Sequence, residues 1–199
     1  MNSVRKLIAI VTAALAISAV AAGAAQACSY TGAEQVFSPW GDQHSYVLAP
    51  DGGFEAGGQG WYLGGGAQTV SGNESFNLNG SGDSRSLALP AGSTAVSPPI
   101  CMSIDTPIFR LVARNSGDTS SGLRVEATYV LLGLVRTKTV STVYGTSTWA
   151  PSQQMSTVLS LSTIVGTVIP SAIQIRITPL GSGGNWQVDD VYIDPFARH

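Results

Sequence analysis

Near its carboxyl end the chain reads GGNWQVDDVYIDPF, residues 183–196, and within it Asp189 and Asp190 stand side by side among strand-forming residues. A carboxylate carried into a core without a partner is costly, so the pair asks for a cation, for backbone amides or for an arginine. Period-two alternation puts Asp189 on the face of Val191 and Ile193, and Asp190 on the face of Val188 and Tyr192. With the first as the core face, Asp189 is the aspartate that needs the partner. A second polar stretch, NLNGSGD, spaces Asn77, Asn79, Ser81 and Asp83 two apart as a cation loop would. It carries one full charge and no distal glutamate, and it reads as a solvated turn.

The first residues set the compartment. MNSVRK supplies Arg5 and Lys6, LIAIVTAALAISAVAAG is apolar, and AQA at 25–27 is a small-residue cleavage site. Together they predict a secretory signal peptide over 1–27, with no membrane span in the rest of the chain. Cleavage would leave Cys28 at the new terminus, with Cys101 as the other cysteine. In an oxidising compartment this pair predicts one disulfide, a closure that stabilises by about 4 kcal/mol in the chain-entropy model. The competing reading is a lipidated Cys28, which the preceding Ala25, Gln26 and Ala27 fit badly. A catalytic thiol has only His44 and His199 to activate it.

The elements that must position these residues are strands. Charged residues make up 11% of the chain and hydrophobic ones 44%, with 23 Gly and 10 Pro, a composition for a sizeable core punctuated by turns. Losing Arg5 and Lys6 takes the formal charge from -2 to -4 and leaves one lysine, which excludes general nucleic-acid binding. Runs rich in Val, Ile, Thr and aromatics predict strands at 86–90, 108–114, 123–130, 135–143, 156–161, 172–178 and 186–193. In AIQIRIT, Ile173, Ile175 and Ile177 share a buried face while Gln174, Arg176 and Thr178 share a wet one. The same parity buries Phe109, Leu111 and Ala113, and Leu123, Val125 and Ala127. The expectation is an all-β sandwich: a segment at 28–45 tied by the disulfide, then one domain over 46–199.

The order of the pieces carries a resemblance. PDGGFEAGGQGWYLGGGAQTV, then GSGDSRSLAL, then STWAPSQQMSTVLSL, then IQIRIT leading into WQVDDVYI, is similar to the galactose-binding-like jelly roll of carbohydrate-binding modules. The resemblance covers residues 46–194. It implies a structural calcium between the Phe-Glu segment and the closing strand, held by Glu55 and Asp189 with the Gly53 carbonyl or Asp51 completing the shell, in keeping with calcium's six to eight oxygen ligands. The alternative is an Asp189 satisfied by backbone amides or an arginine. Glu55 with either aspartate is also the one carboxyl pair that glycoside hydrolysis would use, and it is better explained as cation ligands. With no serine in a nucleophile-elbow context, the expectation is a non-enzyme.

The resemblance also implies where a ligand would lie. Trp61 and Trp149 occupy motif positions that pack at the edge of the core. The strands at 86, 123, 135 and 172 should form one sheet whose wet face presents Arg124, Glu126, Arg136, Lys138, Tyr144 and Arg176. Such a cationic platform suits an acidic glycan or an anionic cell-envelope polymer better than a neutral polysaccharide, although wet edge strands also carry charge simply to prevent sheet-to-sheet pairing. The functional reading is a secreted, non-catalytic protein that binds carbohydrate or cell-envelope glycan. The alternative is a structural or adhesive extracellular protein making protein contacts through the apolar tip YVLLGLV, where Leu131, Leu132 and Leu134 surround Gly133.

Overall fold

A computed structural model describes residues 30–101, 107–131, 134–156 and 172–194. Among them there is no α-helix, only a single 3-10 turn at Ser38–Trp40. The strands in chain order are β1 (Val47–Leu48), β2 (Tyr62–Gly64), β3 (Gln68–Ser71), β4 (Arg85–Pro90), β5 (Thr94–Val96), β6 (Ile100–Cys101), β7 (Ile108–Asn115), β8 (Leu123–Leu131), β9 (Leu134–Val143), β10 (Ala150–Pro151), β11 (Met155–Ser156), β12 (Ala172–Pro179) and β13 (Asn185–Asp194). Six of the seven predicted strands are present to within one residue at each end. The seventh, 156–161, falls almost wholly outside the described residues, as do the expected signal segment over 1–27, Cys28, Leu132 and Gly133.

The strands form two antiparallel sheets. The first runs β10-β7-β13-β4-β3, with β1 beside the later half of β13 and β11 beside the earlier half of β7. The second runs β2-β5-β12-β8-β9, with β6 also beside β12. Here one expectation is corrected: β4 lies in the first sheet between β13 and β3, not with β8, β9 and β12. Alternation sets which face of a strand is buried but not which ladder it joins. Leu87 faces Val188 and Leu89 faces Trp186, and this pairing of apolar neighbours claims β4 for the first sheet.

Between the sheets lies the main core. From the second sheet Ile175 meets Ala127 and Ile177 meets Val125 on the inner face, opposite Leu87, Leu89, Phe109, Leu111 and Val188 of the first. Full burial of each aliphatic side chain contributes about 1.5–3 kcal/mol. A second apolar layer covers the outer side of the first sheet, where Phe37 and Tyr46 of the amino-terminal segment pack on Ile108, Val112, Trp149 and Tyr192. This is why β7 is buried on both faces. Buried Arg110 fastens the layer: Nη1 donates to Asp42 at 2.7 Å, Nε and Nη2 donate to the Ser152 carbonyl, and the guanidinium sits 4.3 Å from the centre of the Phe37 ring. The segment expected at 28–45 is, over its described part, a strap packed on the domain.

Candidate functional site

The closing strand is not regular. Along β13, Val188 faces Ala113 and Asp189 faces Val112, but the next paired residue, Tyr192, faces Arg110. Asp190 and Val191 thus oppose one residue of β7, a β-bulge, and Asp190 takes a left-handed φ of 48°. The bulge ends the alternation on which the two aspartates were assigned their faces. Asp189 and Tyr192 lie on the strap side, while Val188 and Ile193 return to the main core. The opening segment does meet the strand here, because Val191 donates to the Gly52 carbonyl at 3.0 Å and Ala49 donates to that of Val191 at 2.8 Å. A Cβ on Gly52 would lie 2.6 Å from the Val191 oxygen, so only glycine permits the contact.

The bulge aims Asp190 at two other acids. Carboxylate oxygens of Glu74, Asp83 and Asp190 all lie within 4.8 Å of one another, and all three residues are buried. Glu74 accepts from the Phe76 and Leu78 amides. Both oxygens of Asp190 and one of Asp83 are buried with no hydrogen-bond partner, and among the described residues no basic side chain pairs with any of the three. Burial, reinforced by the charges of Asp189, Asp83 and Glu74, pushes the Asp190 carboxyl up to about 9. Burial likewise pushes Asp189 to about 8 and Asp83 to about 6. Hard oxygen donors without a counter-charge are the set that a divalent cation of the calcium type takes.

The expected ligands are placed differently. Asp189 is satisfied by the amides of Glu74 at 3.0 Å and Asp190 at 2.9 Å, the alternative that the sequence left open. Glu55 accepts from the Ser84 amide and hydroxyl and from the Arg85 amide, and it borders the cluster through its contact with Asp83. Asp51 accepts from the amides of Ala56 and Gln59. Gly53 backs the cluster, since a Cβ there would lie 3.3 Å from Asp190 Oδ1.

The outer face of the second sheet is the other polar constellation. Cross-strand partners share a side of a sheet, and one row reads Tyr62, Val96, Arg176, Glu126 and Thr139. The next holds Thr94, Thr178, Arg124 and Thr142, with the two threonine hydroxyls of β5 and β12 3.2 Å apart. Arg124 Nε lies 3.5 Å from Glu126 Oε2. Two tyrosines bracket these rows, Tyr62 at 64% and Tyr144 at 67% exposure. Each ring lies over a glycine: a Cβ on Gly64 would meet the Tyr62 ring at 3.0 Å, and one on Gly122 the Tyr144 ring at 3.3 Å.

Two of the expected face residues point elsewhere. Val125 faces Ser141 and Glu126 faces Thr139, so Val140 is the extra residue of a second bulge. Beyond it Lys138 faces Ala127 and Arg136 faces Tyr129, which turns both to the core side of the sheet at its exposed edge. Thr137 and Thr139 hold the outer positions instead.

No model of a known protein family matches the chain, and no curated protein matches it. Solved structures do. The tandem CBM22-1–CBM22-2 domains of Paenibacillus barcinonensis Xyn10C superpose with a TM-score of 0.52 at 13% identity, over 84% of this chain and 46% of that one. The CBM22-1–GH10 modules of Clostridium thermocellum Xyn10B, complexed with xylohexaose, give 0.51 at 14% identity, over 76% of this chain and 28% of that one. The chain shares the two-sheet β-sandwich fold of these carbohydrate-binding modules. The chain spans less than half the length of either of these proteins.

Within this sandwich, sequence reasoning did not find Glu74, Asp190 or Tyr62 as site residues. Glu74 stands in a connector with no periodic signal, Asp190 was excluded by an alternation that the bulge interrupts, and Tyr62 stands in a short strand whose alternation is too brief to mark a face. Asp83 was in view, as the one full charge of the 77–83 stretch.

Proposed function

We propose that the protein is a secreted, non-catalytic glycan-binding module that holds an oligosaccharide on the outer face of its second sheet. The observation that carries this reading is the pair of exposed tyrosines whose rings approach glycines on either side of Arg176, Glu126 and Arg124. Sugar sites combine aromatic faces with a few placed polar groups. Three to four strand spacings separate the rings, roughly 14–19 Å, a span for several sugar units. Arg176 pairs with no carboxylate among the described residues, and it offers a contact for an acidic substituent on the glycan. The similar structure of Xyn10B modules with xylohexaose supports a glycan as partner, and the signal segment supports secretion.

As part of the same reading, Glu74, Asp83 and Asp190 would hold a structural calcium, which supplies the positive charge that their buried oxygens lack and ties the loop after β3 to the closing strand. Cys28 is proposed to pair with Cys101; among the described residues no cysteine is free. A glycan array with the mature protein and with Tyr62→Ala tests the binding face: the wild type should retain a defined set of oligosaccharides that the variant loses. A wild type that retains none would overturn the reading.

The adhesive alternative draws on one observation, the exposed Val130, Leu134 and Val135 of the β8–β9 hairpin, with Val130 and Val135 directly paired. Cross-linking from this tip in culture fluid, with Val135→Ser as control, separates a protein partner from a glycan.

A further inference from the structure

The strap and the loop after β3 leave between them, on the outer side of the first sheet, a pocket of about 370 Å³ lined by Glu34, Tyr46, Leu48, Leu78, Asn79 and Tyr192 among others. That volume is at the small end of the roughly 300–1,000 Å³ of small-molecule sites. The floor is fixed by the backbone. Glu34 and Tyr46 exchange hydrogen bonds of 2.9 and 2.8 Å across an isolated bridge, which puts their side chains on one side, and Leu48 faces Tyr192 in the β1–β13 ladder. Both tyrosines pack edge-on against buried Phe37, with centroids 5.1 and 5.6 Å away. Their hydroxyls are engaged, Tyr46 donating to Asp42 and Tyr192 to the Leu78 carbonyl, and both side chains are buried, so they form a rigid wall behind the pocket while the half-buried Leu48 and Leu78 give it apolar surface. Outside it, Trp40 and Phe76 join the same two segments with ring centroids 4.9 Å apart.

Polarity in the pocket is one-sided. Glu34 is its single charged lining residue, exposed and in no ion pair among the described residues. A carboxylate only accepts hydrogen bonds, so it selects a ligand with hydroxyl or ammonium donors and repels an acidic one. Half-buried leucine surface beside that acceptor, backed by the rigid aromatic wall, suits the carbon-hydrogen face of a sugar ring.

We propose that this pocket is a second ligand site, taking one pyranose unit that is neutral or amine-bearing and never acidic. It lies on the sheet opposite the arginine-bearing face and does not depend on that face being a binding surface. Protein-observed amide NMR on the mature protein in calcium buffer tests it with three probes: cellobiose, the β-1,4-linked dimer of unacetylated glucosamine, and digalacturonic acid. The first two should shift the amides of Gly32, Gly80 and Asn79, and the third should not. Tighter binding of the glucosamine dimer assigns the ammonium as donor, and equal binding assigns the hydroxyls. Glu34→Ala, an exposed change, should weaken binding at least about tenfold, or 1.4 kcal/mol, while Tyr62→Ala on the other sheet should leave the shifts intact. The proposal is overturned if neither sugar moves those amides at about 10 mM, ten times a 1 mM dissociation constant. It is overturned equally if Glu34→Ala binds as well as wild type, or if digalacturonic acid produces the same shifts.

Discussion

If Glu74, Asp83 and Asp190 hold calcium, removing the ion should lower the melting temperature, and Asp190→Asn should abolish that effect. An ion that binds the native state alone, at a hundred times its dissociation constant, adds about 2.7 kcal/mol. For a domain of this size about 2–4 °C accompany each kcal/mol, so chelator should lower the midpoint by about 5–11 °C. Without metal the buried acids oppose folding. Asp190 titrates near 9 in the folded state because of burial and its acidic neighbours, whereas an unfolded chain ionises it near its ordinary value. Across that interval the folded state binds more protons than the unfolded one, so the stability of the chelated protein falls as pH rises. The three pH units between an ordinary carboxyl and neutrality set a ceiling of about 4 kcal/mol at pH 7 for this one group. Asn keeps the left-handed backbone of residue 190 and removes the charge. In chelator at pH 7, Asp190→Asn should therefore melt above wild type, yet gain nothing from calcium. Differential scanning calorimetry with calcium and with chelator, at pH 5 and pH 8, reads all of these terms. Melting curves indifferent to calcium, or an Asp190→Asn variant with the full calcium response, would refute the assignment. So would loss of the response in Glu55→Gln with Asp190→Asn unaffected.

Four further outcomes are expected. Asp189→Asn should cost stability through its contacts with the Glu74 and Asp190 amides while keeping the calcium increment, as read in the same calorimeter. Tyr62→Ala and Tyr144→Ala should each lower oligosaccharide affinity several-fold by titration calorimetry, and Arg136→Ser with Lys138→Ser should leave it unchanged, because the β9 bulge turns those two away. Asp42→Ala leaves Arg110 buried without its carboxylate and should destabilise by about 3–5 kcal/mol in urea unfolding. Intact-mass spectrometry of the secreted chain should show a species two mass units lighter than its reduced form if Cys28 and Cys101 are paired; a lipid adduct on Cys28 would refute the pairing.

What the sequence determined by itself is what local periodicity can carry. Alternation in IFRLVAR, LRVEATYV and AIQIRIT identifies strands and their buried faces, because side chains on a strand repeat every two residues whatever the strand pairs with. The order of the glycine, tryptophan and aspartate motifs was enough to reach the β-sandwich of carbohydrate-binding modules and to bring the opening segment to the closing strand. Tertiary structure decided whatever depends on register. A bulge at Asp190 and Val191 and another at Val140 each add one residue against a partner strand that the sequence does not align, and one added residue flips every side chain beyond it. The first passes the unpartnered aspartate from 189 to 190 and brings it to Glu74 and Asp83, more than a hundred residues earlier in the chain. The second removes Arg136 and Lys138 from a face they occupy by simple alternation. Long-range ladders likewise assigned β4 to the first sheet and folded the strap over its outer side, because the choice among apolar partners is settled by packing in three dimensions and leaves no periodic mark in the chain.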